Sequence, residues 1–410
     1  MRKKHFLFAS VLALLCSSST LHAQDFKLTS SGYFKNPGVD VMAFDDIYPE
    51  GHQGGVCIIM NGHRVATNGD IRLEATPGQW QPVPKQLDRK LGDNSITATL
   101  CYPDSSRHLT GFNPMIYPDL HLIYTVNVES KGKNIEVTVD LDRPIPQEFI
   151  GKVGFNLEFF PGSLFGKPWI MDGQSGIFPQ QPNSPLMTTQ PNYLHTGNYH
   201  DGKQSLADMD KLIGKGYSPI VADDIISEPY AKGTKFTSRP DDPYNKVTIE
   251  SLSGDLQLFD GRMNHNNGWF VLRSNIKPGV TKGAVKWIIT PNVVADWMYQ
   301  PVIQTSQIGY HPAQDKEAVI EMDIRDNRKE TAQIIRIDAD GEKVVKNVTP
   351  ANWGQFLRYN YLKVDFTDVK EPGLYKIKYD TSVSPIFRID NDDVKGGGGG
   401  GGNTGGGGGQ

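Results

Sequence analysis

Cysteine is nearly absent, with three residues in a chain of 410. That excludes a disulfide-dense scaffold, and the lack of any Cys-x-x-Cys pair excludes a thiolate zinc module. Positive charge is not in excess. The 42 lysines and arginines face 46 aspartates and glutamates, a formal net charge of −4, which gives no basic field to hold nucleic acid. No apolar run after the first 23 residues is long enough to span a membrane. Phosphate-binding Walker loops, Gly-x-Ser-x-Gly elbows and Asp-x-Gly-Asp motifs are all missing between Gln24 and Lys395. Motifs therefore assign no catalytic residue, no metal ligand and no cofactor. Helical periodicity is also scarce. Only residues 205–213 (SLADMDKLI) read as a helix.

What is present starts with a targeting segment. Arg2, Lys3 and Lys4 form a basic region, residues 6–15 are apolar, and Leu21-His22-Ala23 puts a small residue at a cleavage position before Gln24. The reading is a secretory signal over residues 1–23 and a protein exported to the periplasm or the extracellular space. An alternative uses Cys16 as an acylated residue and anchors the chain at the cell surface, although Leu15 is bulky for a lipoprotein signal. Loss of the signal leaves Cys57 and Cys101, both in strand-like runs. They could pair in an oxidising compartment, or remain two separate buried thiols.

From residue 26 onward, strand patterns dominate. Residues 55–60 are a short apolar run closed by the Asn61-Gly62 turn. Residues 119–130 and 135–141 alternate on either side of Lys131-Gly132-Lys133-Asn134, a strong hairpin signal. Further strands are expected at 95–102, 154–160, 246–251, 256–259, 269–274 and 284–290. This pattern predicts an all-β protein whose residues 24–300 form one large antiparallel β-sandwich, a supersandwich in preference to two small sandwiches. A second series of strands begins near Val302, with turns at Asp340-Gly341 and Glu371-Pro372-Gly373. It predicts a small immunoglobulin-like sandwich over 301–390. Residues 391–410 are a Gly-rich segment holding 12 glycines between 396 and 409, expected to be a flexible tail.

Several side chains are candidates for chemistry. Asp45, Asp46 and Glu50 lie close to His52, either as ligands or acid/base groups or as a solvated acidic loop. His195 and His200 are five apart beside Asp201 in a Pro/Asn-rich stretch, with no third ligand nearby in sequence. Residues 264–268 read as a turn. Sugars stack on exposed indole faces, so Trp80 and Trp169, both in turn-like contexts, are the carbohydrate-contact candidates; each could equally pack beneath its loop. Trp269, Trp287 and Trp297 are expected in the core or at an interface, and Trp353 is expected to pack inside the smaller module.

Three segments in that smaller module resemble those of a known family. Ser306-Gln307-Ile308-Gly309-Tyr310-His311-Pro312 resembles the opening strand of the immunoglobulin-like domain that precedes the catalytic barrel in glycoside hydrolase family 9 cellulases. Glu371-Pro372-Gly373-Leu374-Tyr375 and Pro385-Ile386-Phe387-Arg388-Ile389 resemble its last two strands. Upstream, Tyr48-Pro49-Glu50-Gly51-His52-Gln53-Gly54-Gly55, Gly111-Phe112-Asn113-Pro114 and Gly176-Ile177-Phe178-Pro179-Gln180 resemble the N-terminal region of Bacteroidetes members. The resemblance implies a role in hydrolysis of β-1,4-glucans with inversion, by an acid and a base carboxyl flanking the bond. The implied partners are a β-glucan or related plant polysaccharide and the catalytic barrel. The family's Asp-Ala-Gly-Asp base motif has no counterpart here, so no catalytic residue is carried over. The Gly-rich tail begins where the resemblance would place the barrel.

Overall fold

A computed structural model describes residues 25–45, 47–48, 51–52, 54–74, 77, 84–102, 120–182, 228–263, 268–356 and 359–391. The chain divides into two compact units, the first ending at Trp297 and the second starting at Met298. Among the described residues there are strands and a few single-turn 3-10 helices, and no α-helix. The helix expected at 205–213 lies outside the described residues.

The larger unit contains two nine-stranded antiparallel sheets. The first runs, in spatial order, through Lys27–Leu28, Phe34–Asn36, Val39–Ala43, Val56–Met60, His63–Leu73, Val153–Phe159, Phe270–Asn275, Leu256–Asp260 and Ala231–Gly233. The second runs through Gln174–Ile177, Pro168–Met171, Lys235–Ser238, Val247–Ser251, Val285–Pro291, Asn134–Leu141, Ile123–Lys131, Ser95–Cys101 and Lys85–Leu91. Both sheets contribute to one apolar core. Phe155 meets Trp287 edge to face at 4.8 Å and Phe159 meets Phe236 at 5.8 Å, each pair joining the first sheet to the second. One core and two long sheets make this a single large sandwich.

Local chemistry explains the hairpins. Ile123–Lys131 and Asn134–Leu141 pair in register from Tyr124↔Leu141 to Lys131↔Asn134. Their alternate residues Tyr124, Val126, Val128, Ile135, Val137 and Val139 are buried, as a two-residue period demands. Asn61 (φ 50°) and Gly62 (φ 83°) both take the left-handed conformation that a tight turn between twisted strands requires.

The smaller unit is the expected immunoglobulin-like sandwich. One sheet orders Val302–Gln304, Glu317–Asp323, Tyr359–Asp365 and Ala351–Phe356; the other orders Gly341–Val348, Ala332–Asp338, Gly373–Tyr379 and Ser382–Val383, with Phe387–Ile389 also pairing to Gly373–Tyr379. Ile303, Ile320, Met322, Leu362 and Val364 from one sheet pack on Ile334, Tyr375, Ile377, Tyr379 and Ile389 from the other. With no disulfide across it, this core holds the sandwich by packing.

Candidate functional site

The motifs of the smaller unit, sixty residues apart in sequence, meet in space. Tyr310 lies among Phe366 and Phe387, with ring centroids at 5.0 and 5.3 Å. Its hydroxyl accepts from the Ser306 amide at 3.0 Å and donates to the Glu317 carbonyl at 2.9 Å. The Tyr310 amide donates to the Arg388 carbonyl at 2.9 Å. Gly309 precedes it at φ 84°, and a Cβ there would come within 2.7 Å of the same carbonyl oxygen. Only glycine satisfies both conditions. Tyr375 of the other motif stacks on Phe387 at 6.1 Å and donates its hydroxyl to the Glu371 carbonyl at 2.6 Å. These residues build a fixed corner; the arrangement is scaffolding.

Beyond that corner, the outward face of the Val302–Gln304/Ala351–Phe356 sheet carries aromatics. Tyr359 and Tyr361 alternate outward from Leu362 and Val364, and Glu321 is the cross-strand partner of Tyr361. Tyr299 and Tyr361 donate their hydroxyls to opposite oxygens of Glu321, at 2.9 and 3.1 Å. The Tyr299 hydroxyl is pushed up by burial and by that carboxylate. Trp353 sits at a register shift in the edge strand, between Asn352 and Gly354. Its ring meets Tyr361 edge to face at 5.7 Å. Trp353 is 56% exposed and its neighbour Phe356 is 57% exposed. The expectation that Trp353 packs inside the module is corrected: the bulge in an edge strand turns its indole out.

The larger unit has a second cluster, and it is buried. Val153–Phe159 is covered on both faces. Phe155, Leu157 and Phe159 enter the core, and Gly154, Asn156 and Glu158 alternate to the other side. Asn156 pairs across strands with Arg273 and with Asp70, and Gly154 with Arg72. The Arg273 guanidinium donates to the Asn275 side chain at 2.8 Å, the Asn156 side chain at 3.2 Å and the Glu74 carbonyl at 2.9 Å, and lies 3.5 Å from the Glu74 carboxylate. It passes over Gly154, where a Cβ would come within 2.8 Å of its Nε. Asn156 donates to Glu74 at 2.6 Å. Asp70 accepts the Tyr124 hydroxyl at 2.8 Å, and Asn68 donates to Glu158 at 2.8 Å. Burial pushes the Glu74 carboxyl up to about 7 against the opposing pull of Arg273 and Arg72. Burial likewise raises the Tyr102 and Tyr124 hydroxyls well above their usual value.

The side chains singled out from sequence are placed differently. Trp169 lies in the strand Pro168–Met171, 6% exposed, with its indole against Gly176. It is a core residue, with no ring face open to a sugar. Trp80 lies outside the described residues, as do Asp46, Glu50, His195, His200, Asp201 and most of the 264–268 turn. Trp287 is in the core, as expected, and its indole donates to Ser274 at 3.0 Å. Cys57 lies in Val56–Met60 of the first sheet and Cys101 in Ser95–Cys101 of the second; both are buried thiols, with no disulfide between them. Sequence reasoning missed the Asp70-Ile71-Arg72-Leu73-Glu74 alternation, whose charges at every second position are a polar strand face. It also missed the strand around Trp353.

The model of the cellulase N-terminal Ig-like domain matches residues 298–384, inside the smaller unit. That segment is therefore a cellulase-associated Ig-like domain. No curated protein matches the chain. Among solved structures, the chain is similar to the crystal structure of the protein Slr1438 from Synechocystis sp. PCC 6803, at 11% identity over 71% of this chain and all of that one, with a TM-score of 0.29. It is similar also to the crystal structure of HI1317, at 7% identity over 64% of this chain and 93% of that one, with a TM-score of 0.25.

Proposed function

We propose that this chain is the non-catalytic N-terminal portion of a secreted glycoside hydrolase family 9 protein of the Bacteroidetes type, acting on β-1,4-glucans. The Ig-like domain supports or positions a catalytic module, and the large sandwich places that module relative to plant polysaccharide. The observation that carries this reading is the match of residues 298–384 to the cellulase N-terminal Ig-like domain. The convergence of Gly309, Tyr310, Tyr375 and Phe387 into one corner supports it, because those residues belong to the motifs shared with the family. The test compares, on carboxymethylcellulose, this chain alone, a family 9 catalytic barrel alone and the two joined. Reducing ends appear fastest with the joined protein and not with this chain; release by this chain alone would sink the reading. Export is tested by mass spectrometry of the mature protein, which starts at Gln24, against acylated Cys16 as the competing result.

A further inference from the structure

In the larger unit, the face of the first sheet that points away from the core is open at its centre. His63–Leu73, Val153–Phe159 and Phe270–Asn275 are the fifth, sixth and seventh of nine strands, so their outward side chains lie far from either sheet edge. Asp70, Glu74, Asn156, Glu158 and Arg273 on that face are sealed, at 0–4% exposed. Arg72 and Asn275 are part-exposed. They flank Gly154 in one cross-strand row, Arg72 on one side and Asn275 on the other. Solvent reaches the middle of a covered face only through a concavity, and a glycine between two longer side chains leaves a notch there.

What lines the notch donates hydrogen bonds. The Arg273 guanidinium floors it over Gly154 and gives its Nε–H to the Asn275 side-chain oxygen at 2.8 Å. That contact aims the Asn275 amide N–H groups away from Arg273. The Arg72 Nε is buried and has no hydrogen-bond partner among the described residues, so the sheet itself does not anchor this guanidinium and its fork of donors. The charges around it are balanced. Arg72 and Arg273 stand against Asp70, Glu74 and Glu158. These five groups sum to zero with Glu74 protonated and to one negative charge with Glu74 ionised. The notch therefore offers donors without a positive field.

We infer that this notch binds a small neutral polyhydroxy compound, a free sugar or polyol. One hydroxyl accepts from the Arg72 guanidinium and a neighbouring one from the Asn275 amide, while their protons turn to the carboxylates of the same face. An anion would add its charge to three carboxyls, and a cation would meet two guanidiniums. An apolar compound would strip water from the Arg72 donors and give nothing back. A hydroxyl is uncharged and both accepts and donates at one atom, which guanidinium and carboxylate side by side require. The site lies wholly in the larger unit and does not rest on the role proposed for the Ig-like domain.

The test is saturation-transfer NMR of the full chain with three neutral sugars, glucose, galactose and xylose, and with glucuronate and glucosamine, which keep the ring and add a charge of either sign. At least one neutral sugar receives saturation, and the two charged ones receive little or none. Arg72→Lys keeps the charge that the carboxylates need and loses the fork. It keeps the wild-type urea midpoint and weakens sugar binding about tenfold, the scale of one hydrogen bond from a charged donor. Asn275→Ser, on the opposite wall, keeps an oxygen for Arg273 and loses the amide donors. It weakens binding too, and it decides the matter if Arg72→Lys lowers the midpoint. Transfer to no neutral sugar would overturn the proposal and leave the notch to water alone. Equal transfer to neutral and charged sugars, or wild-type binding by both variants, would overturn it as well.

Discussion

In the larger unit Trp287 is 1% exposed and gives its indole N–H to Ser274, while in the smaller unit Trp353 stands mostly in solvent against Tyr361. Charge is buried in both. Glu74 and Arg273 are sealed inside the larger unit, and Lys316, Asp323 and Asp326 are buried in the smaller one. A large sandwich with two nine-stranded sheets has a core wide enough to enclose a tryptophan; the thinner core of the small sandwich leaves its one tryptophan largely in solvent. The contrast is between an indole that fills a core and one that does not.

Arg273 gives the strongest test of the larger unit's interior. Replacing it with Met leaves the Glu74 carboxylate and the Asn156 carbonyl oxygen buried without their guanidinium. Breaking a buried pair from one side costs about 3–5 kcal/mol. A urea titration of Arg273→Met should show that loss, and Arg273→Met with Glu74→Gln should recover part of it. A single variant as stable as wild type would mean the network is not holding the larger unit together.

Gly309→Ala applies the same question to the smaller unit. The new Cβ must accept φ 84° and a carbonyl oxygen at 2.7 Å. Strain of this kind costs about 1–3 kcal/mol. Hydrogen exchange should quicken in Glu317–Asp323 and Gly373–Tyr379 and stay unchanged in Val153–Phe159. Faster exchange in both units would break the comparison by tying their stabilities together.

Glu74 also gives the larger unit a pH dependence. Its carboxyl is raised from 4.5 to about 7 by burial, partly offset by Arg273 and Arg72 and reinforced by Glu158. The folded state then holds a proton that the unfolded chain releases. The contribution is complete below about pH 4.5 and is lost as pH rises through about 7. The urea midpoint of the larger unit should fall between pH 5 and pH 8, and Glu74→Gln should flatten that fall. Equal slopes for the two proteins would show that Glu74 titrates normally.

How much of this was legible beforehand varied with position in a sheet. The hairpin of Ile123–Lys131 and Asn134–Leu141 was readable because one face is buried and the other is not, which writes a two-residue period into the sequence. Lys85–Leu91 was not, because this edge strand is largely exposed and its KQLDRKL carries charge where a pattern would carry apolar residues. Gly341–Val348 and Ala351–Phe356 were missed for the same reason. That omission hid the outward turn of Trp353. The small-unit corner was legible through its motifs, since Gly309 and Tyr310 have no substitutes there. The ionic network was not, because Glu74, Asn156 and Arg273 are separated by up to 199 residues, and a polar strand face reads the same whether water or protein covers it. Trp169 misled in the opposite direction: a neighbouring Gly-Lys-Pro suggested a loop, but the strand starts at Pro168.

The smallest expected effect sharpens the comparison most. Trp353→Ala removes a large side chain from an edge strand, yet its ring is already more than half in water and its one ring partner, Tyr361, stays anchored through Glu321. Surface substitutions of this kind fall within about 0.5 kcal/mol. Trp287→Ala, by contrast, empties a core site beside Phe155 and strands Ser274, at about 3–5 kcal/mol. Two identical substitutions, read by the same urea titration, thus differ several-fold. If Trp353→Ala destabilised the smaller unit as Trp287→Ala does the larger, the exposed indole would be structural, and exposure would no longer separate the two tryptophans.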